Sequence, residues 1–265
     1  MRRRSSWLLV PSFALALACS KGGDRAATPG SDTAAAASAS APASAGPMAI
    51  VTVLYNQPKD TAAFEKYYSA THLPLVVSNQ GQIGFVRADL TRFTSTADGK
   101  KPTFYRQAEL YFNSMDDLKK GTATAGFKKV ADDLPKFATG GLIGMIATTT
   151  NNHGTGSAEA PAAIVTVIYK TPKDTAAFEK YYAETHVPLV VASQGQIGFE
   201  RAELTKFDSN LDGSKPARYR QAELYFPSTE ALKKGLATPG FKKVAGDLGN
   251  FATGGLDALV AVETK

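Results

Sequence analysis

The sequence predicts an α+β fold: two modules of β-α-β-β-α-β order whose sheets pack against each other. Three observations carry that expectation. From Ala49 onward the chain aligns without a gap on a second copy of itself that begins at Ala163, with roughly two positions in three identical. Each copy is about 100 residues long, the size of a small domain, so the repeat is a two-module tandem and not a solenoid of short units. The run Phe104 to Phe112 carries apolar side chains on both faces of a strand, so the sheet it belongs to needs cover on both sides.

Within the first copy, Ile50 to Tyr55 is short and β-branched and reads as a buried strand. Asp60 is a good N-cap, after which Phe64, Tyr67, Tyr68 and Thr71 fall on one helical face. Pro74 is expected to end that helix just after His72. A second strand is expected from about Ile83 to Phe93, then a turn at Asp98-Gly99. The third strand, Phe104 to Phe112, alternates: Tyr105, Gln107, Glu109 and Tyr111 on one face, Arg106, Ala108, Leu110 and Phe112 on the other. Helical material follows at Met115 to Gly121 and around Phe127, Val130, Ala131 and Leu134. Gly140-Gly141 lacks the lysine and spacing of a phosphate loop and reads as the turn into a last strand, Leu142 to Thr148. This order is the split unit of ferredoxin-like folds, an antiparallel four-stranded sheet with both helices on one face. The other face is left bare, and the tandem copy supplies its cover at high local concentration. The expected assembly is an intramolecular version of a dimeric α+β barrel, with modules at 49–150 and 163–265.

Ahead of the repeat, residues 1–19 have the tripartite form of an export signal: Arg2 to Arg4, an apolar run from Trp7 to Leu17, then small residues. The run is too short for a permanent membrane span. It ends Leu15-Ala16-Leu17-Ala18-Cys19-Ser20, which resembles the bacterial lipoprotein signal, in which the cysteine is lipidated and becomes the mature N-terminus. Cys19 is the sole cysteine, so no intramolecular disulfide can form. By the same resemblance, Ser20 points to the outer membrane, periplasmic side. Residues 20–48 are mostly Ala, Ser, Gly, Thr and Pro and read as a disordered tether, its ends about 30 Å apart as a flexible coil. Residues 151–162 read as a polar linker. The formal charge of +6 is half accounted for by Arg2, Arg3 and Arg4, and the remainder does not argue for a nucleic-acid partner.

A first strand ending in Tyr, a Pro-Lys-Asp turn, Phe-x-x-Tyr-Tyr, Thr-His-x-Pro-Leu and a later Gly-Phe pair together resemble the EthD family, named for ethyl tert-butyl ether degradation. That family lies in the dimeric α+β barrel superfamily, and the resemblance covers Ala49–Thr150 and Ala163–Lys265. Relatives in the superfamily include muconolactone isomerases, polyketide cyclases and decarboxylases, and small monooxygenases that need neither metal nor flavin. The resemblance implies the fold and a small aromatic or carbonyl ligand, and leaves the reaction open. A reductase, or an auxiliary of an oxidoreductase system, is also implied by the family's usual label, though the sequence shows no nicotinamide or flavin site.

Histidine has the unperturbed pKa nearest neutrality, which suits it to proton transfer. His72 and its copy His186 end the first helix of each module, and His153 lies in the polar connector. A site between helix and sheet would draw on His72 and on Tyr68 one turn before it as catalytic residues, with Arg87, Asp89, Gln107 and Glu109 binding the ligand. Their copies are His186, Tyr182, Arg201, Glu203, Gln221 and Glu223. Alternatively, each histidine caps its helix's last carbonyls, and Glu109 is simply paired by Arg87 or Arg106. With no cysteine cluster or close-spaced histidine pair, neither a metal nor another cofactor is expected. A haem, held in distant superfamily members, would need His72 or His186 as its axial ligand. Two function classes stay open: a cofactor-free enzyme transferring protons on a small aromatic or carbonyl compound, and a non-catalytic module that binds a small hydrophobic molecule or scaffolds a partner.

Overall fold

The first module runs β1 (Ala49–Asn56), α1 (Thr61–Tyr67), a π-helical turn Tyr68–His72, α2 (Leu73–Ser78), α3 (Gln80–Ile83), β2 (Arg87–Thr96), β3 (Phe104–Phe112), α4 (Met115–Thr122), α5 (Ala125–Asp133) and β4 (Leu142–His153). The second repeats it as β5 (Ala163–Tyr169), α6 (Thr175–Tyr181), a π-helical turn Tyr182–His186, α7 (Val187–Ile197), β6 (Arg201–Asn210), β7 (Arg220–Phe226), α8 (Thr229–Ala237), α9 (Pro239–Asp247) and β8 (Leu256–Glu263). This computed structural model describes residues 47–153 and 163–264. The expected export signal with Cys19, nearly all of the tether and most of the linker lie outside the described residues.

Each module builds a four-stranded antiparallel sheet, in the orders β4-β1-β3-β2 and β8-β5-β7-β6. Their free edges then pair: β2 with β8, and β4 with β6. The result is one closed barrel, β1-β3-β2-β8-β5-β7-β6-β4, with no sheet edge left open among the described residues. Helices cover the outside, Leu118 of α4 packing with Val51, Leu110 and Phe112 in the first module and Leu232 of α8 with Val165, Leu224 and Phe226 in the second. The inside is filled by both modules together, with Ile50, Leu54, Phe104 and Met145 meeting Ile164, Ile168, Phe207 and Leu259. The two hairpin tips cross the junctions in complementary ways. Leu211 donates its N–H to the Gly144 carbonyl, and a Cβ on Gly144 would lie 2.5 Å from the Leu211 side chain. At the equivalent contact both partners are alanines, Ala97 donating to Ala258.

Five local expectations are corrected. Pro74 does not end the first helix: the chain continues into α2 with Pro74 in its first turn, where a missing N–H costs no hydrogen bond. Ile83 is helical and not the start of β2, because Gly84, at φ 79°, caps α3 in the left-handed region open to glycine. Tyr105 does not share a face with Gln107. The register slips between Tyr55 and Asn56 against β3, and the extra residue turns Tyr105 outward among Tyr55, Phe64 and Phe137. Finally, Asn151 to His153 are not linker but continue β4 alongside β6, and Met48, expected at the tether's end, packs on the core and donates its N–H to Thr149 Oγ1.

The barrel interior also holds a polar network, related by the repeat. Gln107 Nε2 donates across the junction to Glu223 Oε1 at 3.3 Å, and Gln221 Nε2 to Glu109 Oε1 at 3.1 Å. Thr52 and Thr166 each donate to the glutamate of their own module at 3.2 Å. The Tyr111 hydroxyl donates to Glu203 at 2.5 Å, and Tyr225 to Glu223 at 2.9 Å. Register sets acid against acid, Asp89 opposite Glu109 and Glu203 opposite Glu223. Like charges directly opposed in a buried ladder favour protonation of one of them. Burial first, then the Glu203 charge, pushes the Glu223 carboxyl up to about 7. Burial and the Glu223 charge raise Glu109 well above the usual carboxylate range. Burial raises Asp89 to about 6 against the opposing pull of Arg87.

Because Glu223 holds its proton more tightly folded than unfolded, its contribution to stability is greatest below the ordinary value of 4.5 and declines as pH rises through about 7. Glu223→Gln removes that titration. The melting-temperature difference between E223Q and the natural protein is therefore expected to shift in favour of E223Q between pH 5 and pH 8; a difference independent of pH contradicts the assignment of this proton.

Candidate functional site

The site begins with the first helix. Asp60 caps it by accepting from the Ala63 N–H at 3.0 Å. Phe64, Tyr68 and His72 then descend one face toward the sheet, with Phe64 and Tyr68 stacked at 5.6 Å and the His72 ring tilted against Tyr68 at 5.6 Å. Between Tyr68 and His72 the helix widens into a π turn, closed by the Leu73 N–H on the Tyr68 carbonyl. Such turns are rare and frequently found at functional sites. Both modules have one, Tyr68–His72 and Tyr182–His186.

His72 is 4% exposed and does not cap the helix: among the described residues it hydrogen-bonds no backbone carbonyl. Its Nδ1 lies 2.9 Å from Oδ2 of Asp133, at the end of α5. The Tyr67 hydroxyl donates to Oδ1 of the same carboxylate at 2.9 Å, and Lys136 Nζ sits 3.1 Å from it. The second module repeats this with His186 Nδ1 2.8 Å from Asp247 and Tyr181 donating at 2.7 Å, while Asn250 donates at 2.9 Å in the place of Lys136. An ionised carboxylate only accepts, so the histidine proton sits on Nδ1 and the lone pair on Nε2. Although burial opposes it, the bonds from His72, Tyr67 and Lys136 hold Asp133 below its usual range. Burial lowers the His72 and His186 pKa values, with the aspartates partly opposing, so both imidazoles are neutral at neutral pH.

Each imidazole lines an apolar cavity between the helices and the outer face of its own sheet. The first-module cavity, about 310 Å³, is walled by Val53, Tyr68, His72, Leu110, Val130 and Leu134, among others. The second, about 120 Å³, is walled by the matching Val167, Tyr182, His186, Leu224, Val244 and Leu248. Burial pushes the Tyr68 hydroxyl up to about 12 and raises Tyr182 as well, so both phenols stay protonated. Arg106 lies over the Tyr68 ring at 4.7 Å, and Arg220 over Tyr182 at 4.9 Å.

The structure brings together His72 with Tyr68, and His186 with Tyr182, but it separates them from most of the residues expected beside them. Gln107, Glu109, Gln221 and Glu223 face the barrel interior, on the other side of the sheet, as do Asp89 and Glu203 in register with the glutamates. Arg87 borders the first cavity, yet its guanidinium stacks over Tyr111 at 3.6 Å and reaches Glu203 at 3.2 Å; Arg201 stacks over Tyr225 at 3.5 Å. Nor does Arg106 pair with Glu109: it forks onto Glu65 at 2.7 and 2.9 Å. Asp133 and Asp247 were not singled out by the sequence, although of the neighbouring pair Asp132-Asp133 the second copy keeps only the latter, as Gly246-Asp247. Among the described residues no group of three or more His, Cys, Asp or Glu could hold a metal ion.

Comparison with known proteins bears on the family and the fold. The EthD domain profile matches residues 56–141 and 170–255. A protein of Rhodococcus erythropolis, described as an uncharacterized 11.0 kDa protein of the thcB-thcC intergenic region, is 40% identical over 99 residues, 37% of this chain and 92% of its own. An ethyl tert-butyl ether degradation (EthD) family protein from Bacillus halodurans is 31% identical, covering 37% of this chain and 95% of its own, with a TM-score of 0.34. An anthrone oxidase-like protein, 11% identical, covers 83% of this chain and 92% of its own with a TM-score of 0.56, a likeness of fold. The fold is that of the dimeric α+β barrels, made here within one chain, and the protein belongs to the EthD domain family, carrying that domain twice.

Proposed function

We propose that each module binds a small aromatic or carbonyl compound in its helix-side cavity and that the histidine there moves a proton on it without a cofactor. The observation that supports this reading is the pairing of a buried, neutral imidazole with a carboxylate on Nδ1, which leaves its Nε2 without a partner among the described residues where the ring lines an apolar cavity. A base in such a position takes a proton from carbon beside a carbonyl, or from a phenol, and returns it elsewhere on the same molecule. The aspartate then stabilises the imidazolium formed, and Tyr67 or Tyr181 fixes the aspartate. An engineered apolar cavity of about 150 Å³ holds benzene, so the first cavity has room for a bicyclic compound. The isomerase-like and cyclase-like chemistry of the superfamily is of this type, and the anthrone oxidase-like relative is named for a polycyclic aromatic.

Exchange of 2-tetralone C–H for deuterium in heavy water reads this proton transfer directly. It is expected to run above the buffer rate and to fall about 10²–10⁴-fold in the double variant His72→Ala/His186→Ala. Asp133→Asn removes a carboxylate that raises the His72 pKa, so the base limb of the first cavity's exchange profile should move to lower pH. Binding without exchange favours a non-catalytic ligand carrier; exchange that persists in the double variant contradicts the role of the imidazoles.

We further propose that the protein is exported and lipid-anchored through Cys19, on the strength of the Leu-Ala-Leu-Ala-Cys string after an apolar run. Cys19→Ser is expected to abolish membrane retention or processing in a Gram-negative host. Unchanged retention and mature size would show the anchor assignment to be wrong.

A further inference from the structure

The two cavities match residue for residue over most of their walls, but the second contains an imidazole for which the first shows no equivalent among the described residues. That imidazole is His153. It comes from the first module: β4 runs past its own sheet and pairs with β6 of the second, setting His153 opposite Ala202. Residues directly opposed in an antiparallel ladder point to the same face. Ala202 lines the second cavity, and His153 lines it too, alongside His186. The Nε2 of His153 is buried and has no hydrogen-bond partner among the described residues. A buried polar atom without a partner is costly, and because the His153 ring lines the cavity, a turn of the imidazole lets a ligand there supply the missing partner. Apart from the two histidines, the walls of this cavity are overwhelmingly apolar, including Val187, Val190 and Ala245.

We propose that the second-module cavity is a site for single-ring phenols, in which the apolar walls hold the ring and His153 Nε2 hydrogen-bonds the hydroxyl. Its volume of about 120 Å³ is near that of the apolar cavity of about 150 Å³ that holds benzene, which limits the ligand to one ring. A phenol hydroxyl both donates and accepts, so it satisfies Nε2 in either tautomer. The wider first cavity takes larger ligands without this selection. The proposal thus rests on the reading that the cavities bind small molecules, and adds that they are not equivalent although the chain is a duplication. The subunit's assembly gives a reason for the tandem: the second site is completed by a strand of the first module.

The test is titration of the full chain with phenol and with toluene, followed through the methyl resonances of Ala245 in the second cavity and Ala131, its counterpart, in the first. His153→Ala is expected to change the phenol-to-toluene affinity ratio at Ala245 by about tenfold against phenol, the worth of one hydrogen bond, with the ratio at Ala131 unaltered. His153→Gln, which keeps a polar side chain at the same strand position, should retain part of the preference and separates a lost hydrogen bond from a lost fold. An unchanged ratio at Ala245 in H153A overturns the proposal. Ligand shifts at Ala131 but none at Ala245 overturn it while leaving the first cavity as a binding site. Shifts at neither overturn it together with the reading on which it rests.

Discussion

Edge pairing of β2 with β8 and of β4 with β6 is the constraint on which the rest of the structure depends. A four-stranded sheet with helices on one face has a second face and two edges to cover, and neither copy can do this alone. Joining the copies at both edges solves both problems and divides the molecule into two chemical environments. Inside the barrel, paired glutamines, glutamates and tyrosines tie the modules together. Outside, under the helices, each module keeps its own aromatic and aliphatic wall with the histidine of its π turn in it. Strand register decides which side a residue serves, so Glu109 and Leu110, adjacent in sequence, belong to different parts of the molecule.

The histidine site is held by contacts from three directions. The π turn sets the imidazole on the helix face that looks at the sheet, Phe137 packs against it with centroids 4.6 Å apart, and Asp133 fixes its orientation. The second copy reproduces each of these, with Phe251 at 4.6 Å and Asp247. Differences between the copies lie at the margins of the cavities: Leu211 borders the first where Ala97 borders the second, and His153 enters the second alone among the described residues. Tandem duplication has kept the chemical group and altered the space around it.

The repeat and its period-two and helical patterns made the topology legible, because those patterns record which faces are buried. Less was legible where geometry depends on a single residue more or less. The bulge that turns Tyr105 outward and the π turn that lets the helix run on through Pro74 leave no periodic trace. His72 and Tyr68 stood out by residue type and spacing. Asp133 did not, because it reaches the site from 61 residues away, and an aspartate beside a second one on a helix reads as a solvated face. Alternation tells which residues share a face but not which face looks toward the helices, so from sequence Gln107 and Glu109 read as part of the histidine site.

The central claim is that His72 and His186 are neutral bases whose Nε2 is turned to a cavity. Imidazole nitrogen-15 resonances measure this directly, since the protonated and unprotonated ring nitrogens are well separated in shift. At pH 7 both histidines are expected to be neutral with the proton on Nδ1, and Asp133→Asn should disturb His72 while leaving His186 unchanged. A proton on Nε2 alone, or a doubly protonated ring at that pH, would contradict the account.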